Sequence, residues 1–373
     1  GRVGREPRGS GRMEGVAAIW RGARRGGNGK SSIHRSKLWF PSKSEPIMCK
    51  ITTNSTPHAS PGNGAANQAG SFCVPKPPLG YYEQVRLMES RGLAIDDRDR
   101  AAGLLSELNY YRLRGYWLTF ERNGRFKPGT SFEDIVDAYR LDSELRRWVW
   151  AAIEPVEVKA RTAMAHHLAM ACGPLSYLDA SNFKNPTAHA HSVENIGREV
   201  ERERLSGVPC VTHNLEKYGA LPVWAAVEVM TLGTVSQLYG NLSDAAAYPD
   251  GSTVSAEVAR DFGLKPAMLT SWMRHLTYVR NVCGHHSRFY NRVMTVRPRM
   301  LGQDKRYAGS KQFPTLLVLM RIYQNSWPFD WPGMMAELDA ILASHHTALA
   351  PMGFPEEWHG ILTHGMAKCP PRK

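Results

Sequence analysis

Residues 132–171, FEDIVDAYRLDSELRRWVWAAIEPVEVKARTAMAHHLAMA, decide the fold class of this chain. Ile135, Tyr139, Leu145, Val149 and Ile153 recur at helical spacing, so one side of the segment is apolar and must be buried. Thr130 or Ser131 stands at the N-cap position, with Glu133 and Asp134 placed to bond back to the free amides and to complement the dipole. Gly173 is the expected stop, and Pro155 is expected to kink or divide the helix because it removes a backbone donor. Glu157 and Arg161, four apart, are expected to pair on the surface; the alternative is that they brace a neighbouring helix.

Outward from this segment the pattern stays helical. Leu221 to Tyr239 reads as a helix broken near Gly233, Ala256 to Phe262 as a short one, and Leu264-Lys265-Pro266 as the lead into another. Phe313 to Tyr323, Pro332 to Leu342 and Pro355 to Leu362 read as closing helices, and no repeat period is visible. The fold class is therefore all-α.

The segment Leu269 to Met294, read as one helix, carries two stripes. Trp272, Leu276, Val279, Cys283 and Tyr290 form the apolar one, and Asn281, His285, Arg288 and Arg292 lie on roughly the opposite face. Unpaired cations are costly to bury, so the second stripe should meet solvent, a polyanion or a second copy of the chain. Within it, residues 280–292 read RNVCGHHSRFYNR. Arginine holds and neutralises a phosphodiester, and a histidine titrating near neutrality removes the proton of a ribose 2′-hydroxyl without a metal. Asn281 can orient the imidazole. Arg280 lies five positions before His285 and points about 140° away around the axis, so a long side chain, a kink or a second subunit must bring the two together.

An arginine five residues before a histidine is weak evidence alone. Arg161 and His166 repeat it inside an apolar run, without an Asn after the Arg, and read as structural. Further blocks supply the context. RNVCGHHSRFYNR resembles the signature RN-x-x-x-HH-x-R-x-x-N of the Abi-like (abortive infection) proteins of bacterial phage defence, members of the HEPN superfamily. PLGYYEQVRLMESRGL at 78–93 resembles the family's opening helix, and NYYRLRGYW at 109–117 is similar to its NYYRLxGYW block. FKPGTSFEDI at 126–135 and the run from Leu221-Pro222-Val223-Trp224 to Leu238-Tyr239 resemble two more, in family order.

The resemblance implies a HEPN-like helical bundle with additional helices. It also implies a metal-independent endoribonuclease active in phage defence, with a site usually composite across a dimer. Carried over, the catalytic residues are Arg280, Asn281 and His285, with His286, Arg288 and Arg292 supporting. Arg280 is expected to bind the scissile phosphate and His285 to take the 2′ proton, giving a 2′,3′-cyclic phosphate and a 5′-hydroxyl. A homodimer is expected, RNA as substrate and possible inhibitory or guide partner, and an antitoxin as a further possible partner. Gly284 departs from the alanine expected there, and glycine loosens a helix by about 0.5–1 kcal/mol. The rival readings are a non-catalytic RNA-binding or scaffold protein and an antitoxin-like regulatory subunit.

Charge is unevenly placed. The chain carries +13, yet residues 1–80 hold 13 Lys and Arg against 3 Asp and Glu, leaving 34 and 31 for the rest. A nearly neutral body must grip RNA through a local cluster. Arg274 belongs to it, and Tyr111, Arg112 and Arg114 interleave aromatics with cations as single-strand binders do. Residues 1–77, rich in Gly, Ser, Pro and Arg, read as a disordered basic tail, with Met13 and Met48 leaving open an over-extended gene start; residues 78–365 read as the helical domain. The six cysteines show no paired spacing, which suits reduced thiols in a cytoplasm, and no zinc set, other metal site or cofactor motif is expected. No membrane span is expected.

Overall fold

The computed structural model describes residues 77–365. All but the last position of the expected tail lies outside them. Its helices are α1 (Tyr81–Ser90), α2 (Arg98–Glu107), α3 (Tyr110–Trp117), α4 (Phe132–Cys172), α5 (Pro186–Leu205), α6 (Pro209–Tyr218) and α7 (Val223–Val229). They continue with α8 (Leu232–Asn241), α9 (Val254–Asp261), α10 (Pro266–Gly284), α11 (Phe313–Ser326), α12 (Trp331–Ala343) and α13 (Trp358–Thr363). The only sheet among the described residues is a hairpin, Glu121–Arg122 with Arg125–Phe126, turning on Asn123 and Gly124, both at positive φ. The architecture is all-α.

α4 is the spine, with α3, α7, α8, α9, α10, α11 and α12 all packed against it. Ser131 accepts from the amide of Asp134, whose carboxylate accepts from the Ser131 amide at 2.7 Å; this box opens the helix, and Gly173 at φ 90° closes it. Ile135, Leu145, Val149 and Ile153 are buried as the pattern requires, and Tyr139 is half-buried. Of the kink or division expected at Pro155, the division does not occur. α4 runs through it as one element, because the carbonyl that proline leaves free belongs to exposed Ala151 and the flanking turns are gripped by neighbouring helices.

One break is placed by a cap, and several helices, α2, α5 and α6 among them, are new. The break expected near Gly233 falls between α7 and α8 at Met230–Thr231, where Thr231 caps α8 through the amide of Thr234. α5 and α6, each begun by a proline, lie in a stretch whose polar composition hides a helical period. The closing helices α11, α12 and α13 stand where expected, and α11 is almost entirely buried from Phe313 to Tyr323. Among the described residues no helix is long and apolar enough to cross a membrane.

Candidate active site

α10 starts at Pro266 and stops at Gly284, ten residues short of the expected end. The stop is a Schellman closure. The amide of His286 donates to the Cys283 carbonyl at 3.0 Å, that of Ser287 to Val282 at 2.9 Å, and His286 takes the left-handed conformation at φ 53°. A non-glycine residue pays strain there, and a contact from outside the helix holds it: Nη1 of Arg112, on α3, donates to the His286 carbonyl at 2.8 Å. The NYYR block and the histidine motif are thus joined in space.

Beyond the helix the chain folds back over α4. Asp142 is fully buried, accepts from the amides of Phe289 at 2.9 Å and Tyr290 at 2.5 Å, and accepts from the Tyr116 hydroxyl at 2.6 Å. Burial pushes its carboxyl upward, opposed by Arg146 with Nε 3.4 Å away and by those hydrogen bonds. Burial, Asp142 and the shared hydrogen bond together push the Tyr116 phenol far up, so it stays a donor.

The apolar stripe of α10 is where the periodicity put it, since Trp272, Leu276, Val279 and Cys283 are buried. Tyr290 is buried too, but reaches the core from the turn. The polar stripe is only half a helix face. Asn281 and His285 are exposed on one ridge with exposed Arg274, whereas Arg288 and Arg292 lie past the helix end and are half-buried. Arg288 lies against Gly115, where a Cβ would meet its Cδ and Nε at 3.1 Å, and donates to the Tyr290 carbonyl at 3.0 Å. Arg292 donates to the Tyr278 hydroxyl at 2.9 Å. Burial draws the Tyr278 phenol upward, but the hydrogen bonds from Arg292 and Thr295 outweigh it and leave it below its ordinary value. Both arginines therefore brace the turn.

Arg280 does not wind around the axis towards His285. Its guanidinium lies 4.7 Å from the centre of the Trp150 ring on α4, with Nε 3.6 Å from Glu157 and without a hydrogen bond among the described residues. Glu157 also accepts from Arg161, which donates to the Val227 carbonyl at the end of α7. The Glu157–Arg161 pair is a brace between three helices, the alternative to the expected surface pair, and Arg161 of the second arginine–histidine match is held within it. Asn281, His285 and His286 make no side-chain hydrogen bond with any described residue, so the amide and both imidazoles face solvent. The site is an amide and an imidazole on one ridge, a guanidinium on the next, and a second imidazole on the turn beyond.

The aromatic block splits. Tyr116 and Trp117 are core, Tyr110 packs edge-on against Trp117, and Tyr111 is 76% exposed beside Arg112 and exposed Arg114. Among the described residues no group of three or more His, Cys, Asp or Glu is arranged to hold a metal ion. Cys283 is buried, and its thiol is pushed up to about 12 by burial.

Trp150 and Asp142 escaped the sequence reading. Asp142 was findable, because positions 135, 138, 142, 145 and 149 form one helical ridge and an acid on it must have a buried partner. Trp150 falls outside the apolar stripe and carries no such mark.

The family model for Abi-like proteins matches residues 103–291, just over half of the chain, from α2 through the turn after α10. The chain belongs to the Abi-like protein family. No curated protein and no solved structure matches it.

Proposed function

We propose that this chain is a metal-independent endoribonuclease of the HEPN type that serves phage defence by abortive infection. The observation that carries the reading is the exposure of Asn281 and His285, without a side-chain hydrogen bond among the described residues, on one ridge at the end of α10 beside the ridge that bears Arg280. In the proposed reaction Arg280 holds the scissile phosphate and offsets the charge that gathers as the ribose 2′-oxygen attacks phosphorus. His285 takes the 2′ proton, with Asn281 orienting its ring. The bond from phosphorus to the 5′-oxygen breaks, and a second imidazole, His286 or the His285 of a second copy, protonates that oxygen. The products are a 2′,3′-cyclic phosphate and a 5′-hydroxyl. RNA is the substrate, a homodimer the active form, and an antitoxin or bound RNA the restraint in the cytoplasm of the host.

The test is to express the parent and His285→Ala side by side and to map RNA ends. New 5′-hydroxyl ends in the parent alone, with RNA affinity retained in the variant, support the reading. A parent that never cuts, with a variant that loses affinity, sinks it.

One observation favours a second reading. Arg280 shares Glu157 with Arg161, so part of its charge is already balanced. A protein that grips RNA without cutting it, or an antitoxin-like subunit regulating another enzyme, fits that balance. Co-purification with a separate nuclease would favour the latter.

A further inference from the structure

Trp150 and Trp224 are the two exposed tryptophans among the described residues. Trp150 is 38% exposed on α4, carries the Arg280 guanidinium over its ring, and lies against Gly284, one residue before His285. Among the described residues no aromatic ring pairs with it, although Trp117, Trp148, Trp327, Trp331 and Trp358 each pack against an aromatic ring elsewhere in the fold.

The neighbours on its own helix set the chemistry. Arg140 and Arg147 are exposed, seven residues apart and so on one ridge, and Arg147 lies one turn before Trp150. Arg147 is 74% exposed, with its nearest carboxylate, Glu144, at 4.0 Å. One turn after Trp150 stands exposed Glu154. Cations therefore approach the indole from the N-terminal side of α4 and from α10, and an acid closes the C-terminal side. A protein partner would meet an indole ringed by charges, whereas interface centres are depleted of them. A single-stranded polyanion whose bases present flat faces meets what it needs: an aromatic surface with guanidinium groups for the phosphates on either side.

We propose that Trp150 is a stacking platform for one base of a single-stranded RNA that approaches along Arg140 and Arg147, and that this stack fixes which phosphate reaches Arg280 and His285. The inference rests on the endoribonuclease reading for its substrate class. It assigns the choice of cleavage position to α4, which carries none of the catalytic residues.

The test uses the full chain and a short single strand of mixed sequence with 2′-O-methyl groups, which cannot be cut by 2′-hydroxyl attack, together with a series bearing one abasic residue at each position. In the parent, one abasic position weakens binding by about tenfold, the size expected for loss of one stacked base. Trp150→Phe keeps the affinity and the positional dependence. Trp150→Leu weakens binding of the intact strand by about tenfold and no longer responds to that position. The proposal is overturned if Trp150→Leu binds as the parent does, if its loss is the same whichever base is missing, or if the parent does not bind. A change from dimer to monomer in sedimentation with unchanged affinity also overturns it, by giving the indole to a second copy. Because the strand is uncleavable, a positional effect seen here while native RNA stays intact would refute the enzyme and leave the platform standing.

Discussion

Gly284 ends α10 directly against the indole of Trp150: a Cβ at this position would stand 2.5 Å from Cζ3 and 3.0 Å from Cη2. Alanine, the better helix former, would gain about 0.5–1 kcal/mol in propensity and lose more to overpacking, which costs roughly 1–3 kcal/mol. Gly284→Ala is therefore expected to lower stability by about 1 kcal/mol and to shift the ring that carries Arg280. Trp150→Ala opens the space, so the second substitution should become neutral or stabilising in its background. Denaturant unfolding of the four proteins of this cycle measures the coupling. Additive effects would show that the contact is immaterial.

The turn after α10 depends on Asp142. Its fully buried carboxylate satisfies two amides and a hydroxyl, so Asp142→Ala leaves buried donors unpaired beside Arg146, at a cost of about 3–5 kcal/mol. Tyr116→Phe removes one of the three bonds and is expected to cost about 1.5–3 kcal/mol, the range for hydrogen bonds to a charged group. Amide exchange at Phe289 and Tyr290 is the specific readout. Their protection should collapse with Asp142→Ala and survive Tyr116→Phe, and equal protection in both would refute the assignment.

The reach of the sequence follows from the range of the forces. The stripes of α4 and the first part of α10 could be read because a buried face imposes a local period, visible in Ile135, Val149 and Ile153 or in Trp272, Leu276 and Val279. The end of α10 could not. It is set by His286 in a left-handed conformation whose carbonyl takes a bond from Arg112, 174 residues away, and no local pattern announces such a contact. The extension to Met294 failed for this reason, and with it the placement of Arg288 and Arg292 on a helix face. The hairpin at Asn123-Gly124 is the opposite case, a local signal that was present and passed over. The pairing of Arg280 with Trp150 and Glu157 again depends on two distant segments, so composition could suggest the cation but not its orientation.

Acid should destabilise the fold through His275. Its Nδ1–H donates to the Val296 carbonyl at 2.7 Å, Nε2 accepts from the Thr315 hydroxyl at 2.9 Å, and burial pulls its pKa down to about 4. Because the folded value is the lower one, the unfolded chain takes up a proton that the folded chain refuses. The penalty is absent above the ordinary value of about 6.5 and grows as pH falls towards 4, reaching about 3 kcal/mol. His275→Gln is expected to be less stable at pH 7.5 and to show a flatter loss across that window. Asp134 and Asp137 act in a lower one. Burial draws both upward, but hydrogen bonds from Ser131 to the first and from Thr347 and His345 to the second leave them below the usual carboxylate value. What they contribute is present above about 3.9 and lost below it. Unfolding free energies measured from pH 8 to 3 separate the two, and an unchanged slope in His275→Gln between 6.5 and 4 would reject the first.

Arg112 and Arg114 lie two residues apart on α3 and should fail in different ways. Arg114 is exposed and makes no side-chain hydrogen bond among the described residues, as does Arg274 on the ridge of His285. If they touch RNA they do so as phosphate contacts, so Arg114→Ala and Arg274→Ala should each weaken binding of an uncleavable strand at every sequence alike and lower the salt slope by about 1. Arg112 instead spends a donor on the carbonyl of His286. Arg112→Ala should relax the closure of α10 and displace both imidazoles, so cleavage should fall by more than the affinity does, with a smaller change in salt dependence. Lysine at 112 reaches the same carbonyl as a single donor and should restore part of the rate. A variant in which rate and affinity fall together, with the full change in salt slope, would make Arg112 a phosphate ligand and remove it from the frame of the site.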